Sequence, residues 1–328
     1  MSKLDTVQEF LTNDLRNFPV PYCPSSPLMT QYRVPSLEFF ESRQIAGIVG
    51  GRRPSTYAES PRLWNPYFRK TGIHGVFFAF DLPLEKNFTG FLKLMLDLPG
   101  FLELTVTDPY KHRALEALDE LKVPMKLSPQ AGHTGAVNHI ILDRTDGKIL
   151  ALNTDGLGMI HAIKENREIS GAPVLMIGAG GSAASIGYEI VRAGGDLFII
   201  NRTPERAESL ARLLSSYKNP SREVQWGKLD RLTDLLNRSD IIINTVTEGC
   251  PLGVRELEGL KGDVLLVETK YGGKSDLRDL ARAGGLSYIN GQAMLFGQFV
   301  EAAAHVHALL GISSEDHEKA IQAISGEN

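Results

Sequence analysis

The sequence predicts an α/β protein of two domains, followed by a helical C-terminal segment that returns to the first of them. Three observations predict this. The chain has 328 residues, and at roughly 100 to 200 residues per domain that length forms two cores rather than one. From Ile45 onward, short apolar runs of strand type alternate with runs of helical period, as a largely parallel sheet requires. From Ala172 an apolar strand, a glycine turn, a helix and a second strand follow one another as a βαβ unit.

Composition narrows the function classes. Hydrophobic residues make up 42% and charged residues 23% of the chain, a globular balance that excludes wholesale disorder and fibrous repeats. Thirty-five Lys and Arg against 39 Asp and Glu leave a net charge of −4, so no basic field exists to hold nucleic acid or an anionic membrane. Any anionic partner must be gripped locally. Cys23 and Cys250 match neither a disulfide framework nor a metal-ligand spacing, and a reducing cytoplasm is the expected location. The start, MSKLDTVQEF, carries no apolar signal core. Runs such as Val174 to Ile177 are far too short to span a bilayer.

In chain order, residues 1–45 read as an extension, with one short helix from Asp5 to Arg16 and prolines at 19, 21, 24, 27 and 35. The segment IAGIVGG reads as a strand, SPRLWNPYFRKTG as a helix, GVFFAFDL as a strand and NFTGFLKLMLDL as a helix. A third strand, FLELTVT, runs into DPYKHRALEALDELKVP, where Asp108 suits an N-cap and Pro109 the first helical position. Lys111 then falls in the first turn. AVNHIILD and KILALNTD form a hairpin-like pair joined by Arg144 to Gly147, and the helix GLGMIHAIKEN leads away, with a domain boundary near Thr154. The phenylalanines at 39, 40, 77, 78 and 80 have no basic residues interleaved and read as core rather than as a stacking platform. His305 and His307 stand two apart on a helix and face different ways, so no metal is expected.

In the second half, Gly178, Gly180 and Gly181 follow the strand VLMI and open a helix. There backbone amides and the helix N-terminus can approach a pyrophosphate, and the agreement of strand, turn, helix and second strand predicts a Rossmann dinucleotide-binding domain. The second strand ends at Asn201, 23 positions after Gly178, where a cofactor lacking the 2′-phosphate would meet a carboxylate. Instead Arg202 and Arg206 flank Thr203, which suits a 2′-phosphate and favours NADP, while Asn201 leaves NAD open. The plainer alternative is two solvated charges at a helix start. The helical RLTDLLNRS, the strands DIIINTV and DVLLVET, the helix SDLRDLARAGG and the short strand LSYIN complete the alternation, and the tail from Gly291 is wholly helical.

Hydride transfer at a carbinol carbon also needs a proton moved at the oxygen, which a positioned group accelerates by about 10²- to 10⁴-fold. Lys111 in a first turn faces the positive end of the helix dipole, which disfavours its ammonium form, and Asp155 at the head of GLGMIHAI could pair with it. Taken alone, the plainer readings prevail, a solvated first-turn lysine and an aspartate that caps its helix.

Eight segments, IVG, SPRLWNPYF, TVTDPYK, GAVN, NTDG, GAGGSA, NRTPERA and GQAMLFGQ, stand in the order of a known family. From Ile45 to about Gly311 the chain resembles the shikimate dehydrogenases and their quinate-using relatives. The resemblance implies an α/β fold with an N-terminal substrate-binding domain (46–154), a Rossmann domain (155–290) and C-terminal helices (291–328) packing on the first. It implies an NADP-dependent enzyme that reversibly reduces a cyclic ketone to a secondary alcohol, with Lys111 and Asp155 as the catalytic pair. Ser60, Thr107, Asn138, Tyr271 and Gln298 would contact a small cyclic hydroxy acid. Gly178, Ala179, Gly180, Gly181, Ser182, Asn201, Arg202, Thr203 and Arg206 would hold the cofactor, with Thr245 and Met294 at its nicotinamide end.

Departures gather on the ring side. The family's His-Ser-x-Ser-Pro loop stands here as Tyr57-Ala58-Glu59-Ser60-Pro61, after a longer spacing that includes Arg52 and Arg53. A guanidinium could replace the lost hydroxyl as an anion contact, or the substrate could lack that carboxylate. Trp64, Thr105 and Asp108 also depart, the segment ETKYGGK lacks the usual Asp and Pro, and Glu248 puts a negative charge near the nicotinamide loop. The alternatives are a relative acting on quinate, aminoshikimate or another cyclitol, and a metabolite-binding sensor without catalysis. Intact Lys111, Asp155 and glycine turn argue against the sensor. Oligomeric state is left open, with a homodimer one arrangement.

Overall fold

A computed structural model describes residues 39, 41–84, 87–217, 223–246, 250–257, 260, 262–270 and 275–326. The expected helix from Asp5 to Arg16 lies outside them, as do Cys23, Phe40, Glu248 and Tyr271.

The chain divides into two compact units, one running to Asn153 and resuming at Ala302, the other spanning Thr154–Glu301. The first is built on β1 (Gln44–Gly50), β2 (Gly75–Asp81), β3 (Phe101–Val106), β4 (Met125–Leu127), β5 (His139–Asp143) and β6 (Lys148–Leu152). Their order is β2-β1-β3-β5-β6-β4. The β2-β1-β3 and β6-β4 pairs are parallel and β3-β5-β6 antiparallel, so the sheet is mixed. Helices α1 (Ser60–Lys70), α2 (Phe88–Asp97), α3 (Lys111–Glu120) and α4 (Pro129–Thr134) connect the strands. The Asn87 side chain caps α2 by accepting from Gly90 N, and Ser128 caps α4 by accepting from Ala131 N, contacts worth about 1 kcal/mol each. One core joins Val76, Phe78 and Phe80 of β2 to Phe91, Leu92 and Met95 of α2 and Ala114 and Leu118 of α3. Phe39 packs on Phe78, and Phe77 is buried beneath Trp64, so these described phenylalanines are core.

Two expectations are corrected here. Helix α3 begins at Lys111 with Tyr110 at its N-cap and no capping side chain, so Asp108 and Pro109 precede the helix. Asp108 instead lies 3.2 Å from Arg52, because the turn before α3 points its carboxylate toward the 51–57 loop. Lys111 keeps its first-turn place. The short strand β4 and helix α4 have no counterpart in the sequence reading, being too brief to show a period.

The second unit contains α5 (Asp155–Lys164), β7 (Pro173–Ile177), α6 (Gly181–Arg192), β8 (Asp196–Ile200), α7 (Pro204–Ser215), β9 (Gln225–Gly227), α8 (Leu232–Leu236), β10 (Ile241–Asn244), α9 (Val254–Leu257), β11 (Leu265–Glu268), α10 (Asp276–Ala283) and β12 (Ser287–Ile289). The order β12-β11-β10-β7-β8-β9 is wholly parallel. Successive residues of a strand face opposite sides. Val174 and Met176 enter one core while Leu175 and Ile177 enter the other, and β8 and β10 divide likewise. Burial on both faces is why these strands read as continuous apolar runs.

Helix α11 (Gly291–Leu310) follows, then α12 (Ser314–Ser325), capped by Ser313. Length and composition would let α11 cross a membrane, but Met294, Phe299, Ala302, Ala303 and Val306 are buried within the protein. The expected assignment of 291–328 to the first domain is modified, because the division falls inside α11. The cause is a backbone contact: a Cβ on Gly297 would lie 2.5 Å from the Gly158 Cα, so the first half of α11 packs on α5. The second half and α12 belong with α1, where His317 Nδ1 lies 2.8 Å from the Tyr67 hydroxyl and stacks on His307 at 4.4 Å.

Candidate active site

In the first unit the expected ring contacts converge at the ends of β3 and β5. Thr107 is fixed by its own N–H, which donates to the Val49 carbonyl (2.9 Å), and by its carbonyl, which accepts from Tyr110 N (3.0 Å). Asn138 is 1% exposed; its carbonyl accepts from Val106 N and its N–H donates to the Leu152 carbonyl, both at 2.8 Å. The Lys111 carbonyl accepts from Val137 N at 2.9 Å, which ties the helix bearing Lys111 to the segment bearing Asn138. Thr107, Lys111 and Asn138 are therefore joined through main-chain bonds.

The departing loop is anchored onto this group. Asp81, buried at the end of β2, accepts from Ser55 N (2.9 Å) and Ser55 Oγ (2.6 Å) and faces Arg53 Nε at 3.7 Å. Arg53 adopts a left-handed conformation, with φ of 56°, to make the turn. The guanidiniums of Arg52 and Arg53 thus face Asp108 and Asp81 within the protein. Burial pushes the Tyr57 phenol above its usual value, with the nearby Thr107 side chain drawing it back. Ser60, at the head of α1, is buried. Trp64 stacks on Phe77 at 5.6 Å, and Asn65 pairs with the Phe77 backbone, its Nδ2 donating to the carbonyl and its Oδ1 accepting from the amide. Trp64 is therefore a core substitution. Sequence reading saw Tyr57 only as a lost histidine and missed its contact with Thr107, because loop conformation has no period to read.

In the second unit Asp155 is 2% exposed in the first turn of α5, where the helix favours negative charge. One turn on, a Cβ on Gly158 would meet Met294 O at 2.4 Å and Gln298 N at 2.7 Å, so the helix that begins at Asp155 packs closely on the one that carries Met294 and Gln298. The glycine turn sits where the strand order reverses between β7 and β10, the place at which parallel sheets open a crevice. Gly178 has φ of 111° and stands against Thr245, whose Oγ1 a Cβ would meet at 2.2 Å. Thr245 is pinned in turn, its N and Oγ1 both donating to the Ile177 carbonyl at 2.9 Å. Where side chains would stand on Gly180 and Gly181 there is open space within 4 Å. Their bareness serves no internal packing and clears the approach to the start of α6, beside Ser182.

Asn201 Nδ2 donates to the Thr203 carbonyl (2.8 Å), shaping the turn that presents Arg202 and Thr203, while Arg206 is exposed on the first turn of α7. Arg206 and Ala179 of the glycine turn line one shallow hollow with Glu205, Ser209 and Leu213. A cation standing beside a pyrophosphate-type turn, with no carboxylate at the end of β8, fits a dinucleotide bearing a 2′-phosphate.

Two family models match the chain. One, for the shikimate dehydrogenase substrate binding domain, covers residues 52–140; the other, for shikimate / quinate 5-dehydrogenase, covers residues 161–257. A shikimate dehydrogenase (NADP(+)) of Rubrobacter xylanophilus is 33% identical over 266 residues, 79% of this chain and 88% of that protein. The chain belongs to the shikimate dehydrogenase family. A second shikimate dehydrogenase (NADP(+)), from Methanosarcina barkeri, is also 33% identical, over 79% of this chain and 91% of its own. The solved structure of a shikimate dehydrogenase in complex with NADP+ matches with a TM-score of 0.69 at 27% identity, covering 86% of this chain and 95% of that one. Shikimate dehydrogenases thus share both the arrangement of elements and the sequence signature seen here.

Proposed function

We propose that the protein is an NADP-dependent shikimate dehydrogenase, interconverting 3-dehydroshikimate plus NADPH and a proton with shikimate plus NADP+. The observation that carries the reading is the survival of both Lys111 and Asp155 at ordered helix starts in a chain that matches shikimate dehydrogenases across both units. NADP, when bound, supplies or accepts the hydride.

This chain's residues do the rest. The Asp155 carboxylate accepts a hydrogen bond from the reacting hydroxyl and orients it. Lys111 takes up that hydroxyl's proton during oxidation and returns it to the carbonyl oxygen during reduction. Thr107, Asn138 and Gln298 hold the ring hydroxyls, so that the reacting carbon is presented in one orientation. Ser60 contacts the ring carboxylate; Tyr271, given to the ligand by the resemblance, lies outside the described residues. Gly178 to Ser182 receive the pyrophosphate, while Arg202, Thr203 and Arg206 hold the 2′-phosphate, with Asn201 setting their turn. Thr245 and Met294 border the nicotinamide. With such chemistry and the free thiol of Cys250, the cytoplasm is the proposed location.

The test is NADP+ and NAD+ reduction followed at 340 nm with shikimate, quinate and small cyclitols, beside Lys111→Ala. The expected result is shikimate turnover with NADP+ that falls about 10³-fold in the variant, within the range a positioned acid or base supplies. A protein that binds NADP+ yet turns over neither shikimate nor quinate overturns the reading.

A further inference from the structure

The first unit buries an ionisable cluster that the proposed chemistry does not use. Glu103 on β3 is 0% exposed and His139 on β5 is 2% exposed. The antiparallel register sets His139 directly across from Thr105. Glu103 Oε1 accepts from Thr105 Oγ1 at 2.8 Å and lies 2.7 Å from His139 Nδ1, while Thr105 Oγ1 is 3.3 Å from that same nitrogen. Among the described residues, neither Glu103 Oε2 nor His139 Nε2 has a hydrogen-bond partner. Burial pushes the Glu103 carboxyl above its usual value, with His139 and Thr105 drawing it back.

Taking a carboxylate and an imidazole out of water costs more than their attraction commonly returns, and apolar replacement of such pairs is often neutral or stabilising. Stability alone therefore gives no account of this pair. Location does. Glu103 and Thr105 alternate along one face of β3, Thr107 follows just past its end, and His139 directly follows Asn138 in the chain. The cluster is a side-chain tie between two adjacent strands, one step below the residues assigned to the ring hydroxyls. Ladder bonds let neighbouring strands twist and shear, whereas a charge-assisted bond between fixed side chains resists both.

We propose that Glu103 and His139 are positioning residues, whose direct contact, with Thr105 steadying the carboxylate, ties β3 to β5 and so holds Thr107 and Asn138 at the separation a ring substrate requires. The inference rests on the assignment of Thr107 and Asn138 to the ring. A misplacement of about 1 Å at such groups can cost on the order of 10²-fold in rate, so a tie that prevents it carries a measurable effect.

The experiment compares wild type with the double variant Glu103→Leu/His139→Leu and the conservative Glu103→Gln, reading KM for shikimate, KM for NADP+, kcat and thermal midpoint. The expected double variant is folded, with a midpoint at or above that of wild type, a shikimate KM raised about tenfold, and an NADP+ KM within twofold. Glu103→Gln, which still accepts from Thr105, recovers most of the shikimate KM. A purely structural role predicts the reverse, a lowered midpoint with KM unchanged, and a folded double variant whose shikimate KM is within twofold of wild type overturns the proposal. Should the double variant not fold, His139→Phe removes the crossing contact while leaving Glu103 its bond from Thr105, and is read against the same thresholds. Wild-type turnover of shikimate on the same plate reports on the functional reading separately. If it is absent for every ring, that reading and this inference fall together; if it is present with KM unmoved, the inference falls alone.

Discussion

The glycine turn of the second unit and the 51–60 loop of the first stand in corresponding places, each following the first strand of its sheet and leading into a helix. They secure their conformations differently. The turn works by what is missing, with Gly178 at a φ of 111° against Thr245 and open space at Gly180 and Gly181. The loop works by what is present: Asp81 grips Ser55, Arg53 faces Asp81, and Tyr57 reaches Thr107. A binding surface made of main-chain amides admits almost no substitution, so its motif survives intact. One made of individual side chains can be exchanged a residue at a time.

Breaking the turn should have the larger effect. Gly178→Ala would drive a Cβ into Thr245 Oγ1 and strain a positive φ, so the NADP+ Kd is expected to rise about 100-fold with shikimate binding retained, as read by titration calorimetry. A Kd within threefold would show that the turn is less rigid than its geometry. Arg206→Ala should sharpen the comparison by exposing the one part of nucleotide recognition that does depend on side chains. The ratio of kcat/KM for NADP+ over NAD+ is expected to fall about tenfold, a loss typical of one charge-assisted contact. An unchanged ratio would move the 2′-phosphate grip to Arg202.

A smaller effect tests the contact between α12 and α1. Burial, followed by the charge of nearby His307, pushes the His317 imidazole below its usual value, so the fold favours its neutral form. That contribution is whole above about pH 6.5 and is lost as pH falls through the lower folded value. Between pH 7.5 and 5, the thermal midpoint of wild type should therefore fall about 2–4 °C further than that of His317→Gln. Parallel curves would remove His317 from the acid sensitivity. Smallest of all, Arg53→Ala should leave the shikimate KM within twofold, because its guanidinium already faces Asp81. A tenfold rise would instead make Arg53 the anion contact that replaces the lost loop serine.

What the sequence disclosed follows the same division. The parallel strands of the second unit, the glycine turn and the cationic turn after β8 were readable because each rests on a local pattern: an apolar run, a glycine spacing, a charge beside a helix start. Lys111 and Asp155 were readable as residues, but only the resemblance gave them roles. Asp108 misled, since an Asp-Pro before a helical period has the form of a cap while its carboxylate here meets Arg52. Strands β4 and β9, three residues each, are too short to carry a period. The Glu103–His139 tie joins residues 36 apart in the chain and depends on antiparallel register, which no local pattern encodes. A hint was nonetheless in view, because a carboxylate inside FLELTV is out of place on a buried strand.

The first unit takes back residues from Ala302 onward after the entire second unit has been made. On a ribosome, strands β1 to β6 therefore emerge long before the helices that complete their packing. Tyr67, wholly enclosed in the finished protein, has no His317 to meet until that residue has left the exit tunnel. The nascent chain must carry an open apolar face through the synthesis of the second unit, which by then has what it needs to close. Chaperone demand, and the harm done by losing the 302–326 segment, should accordingly fall on the half that was translated first.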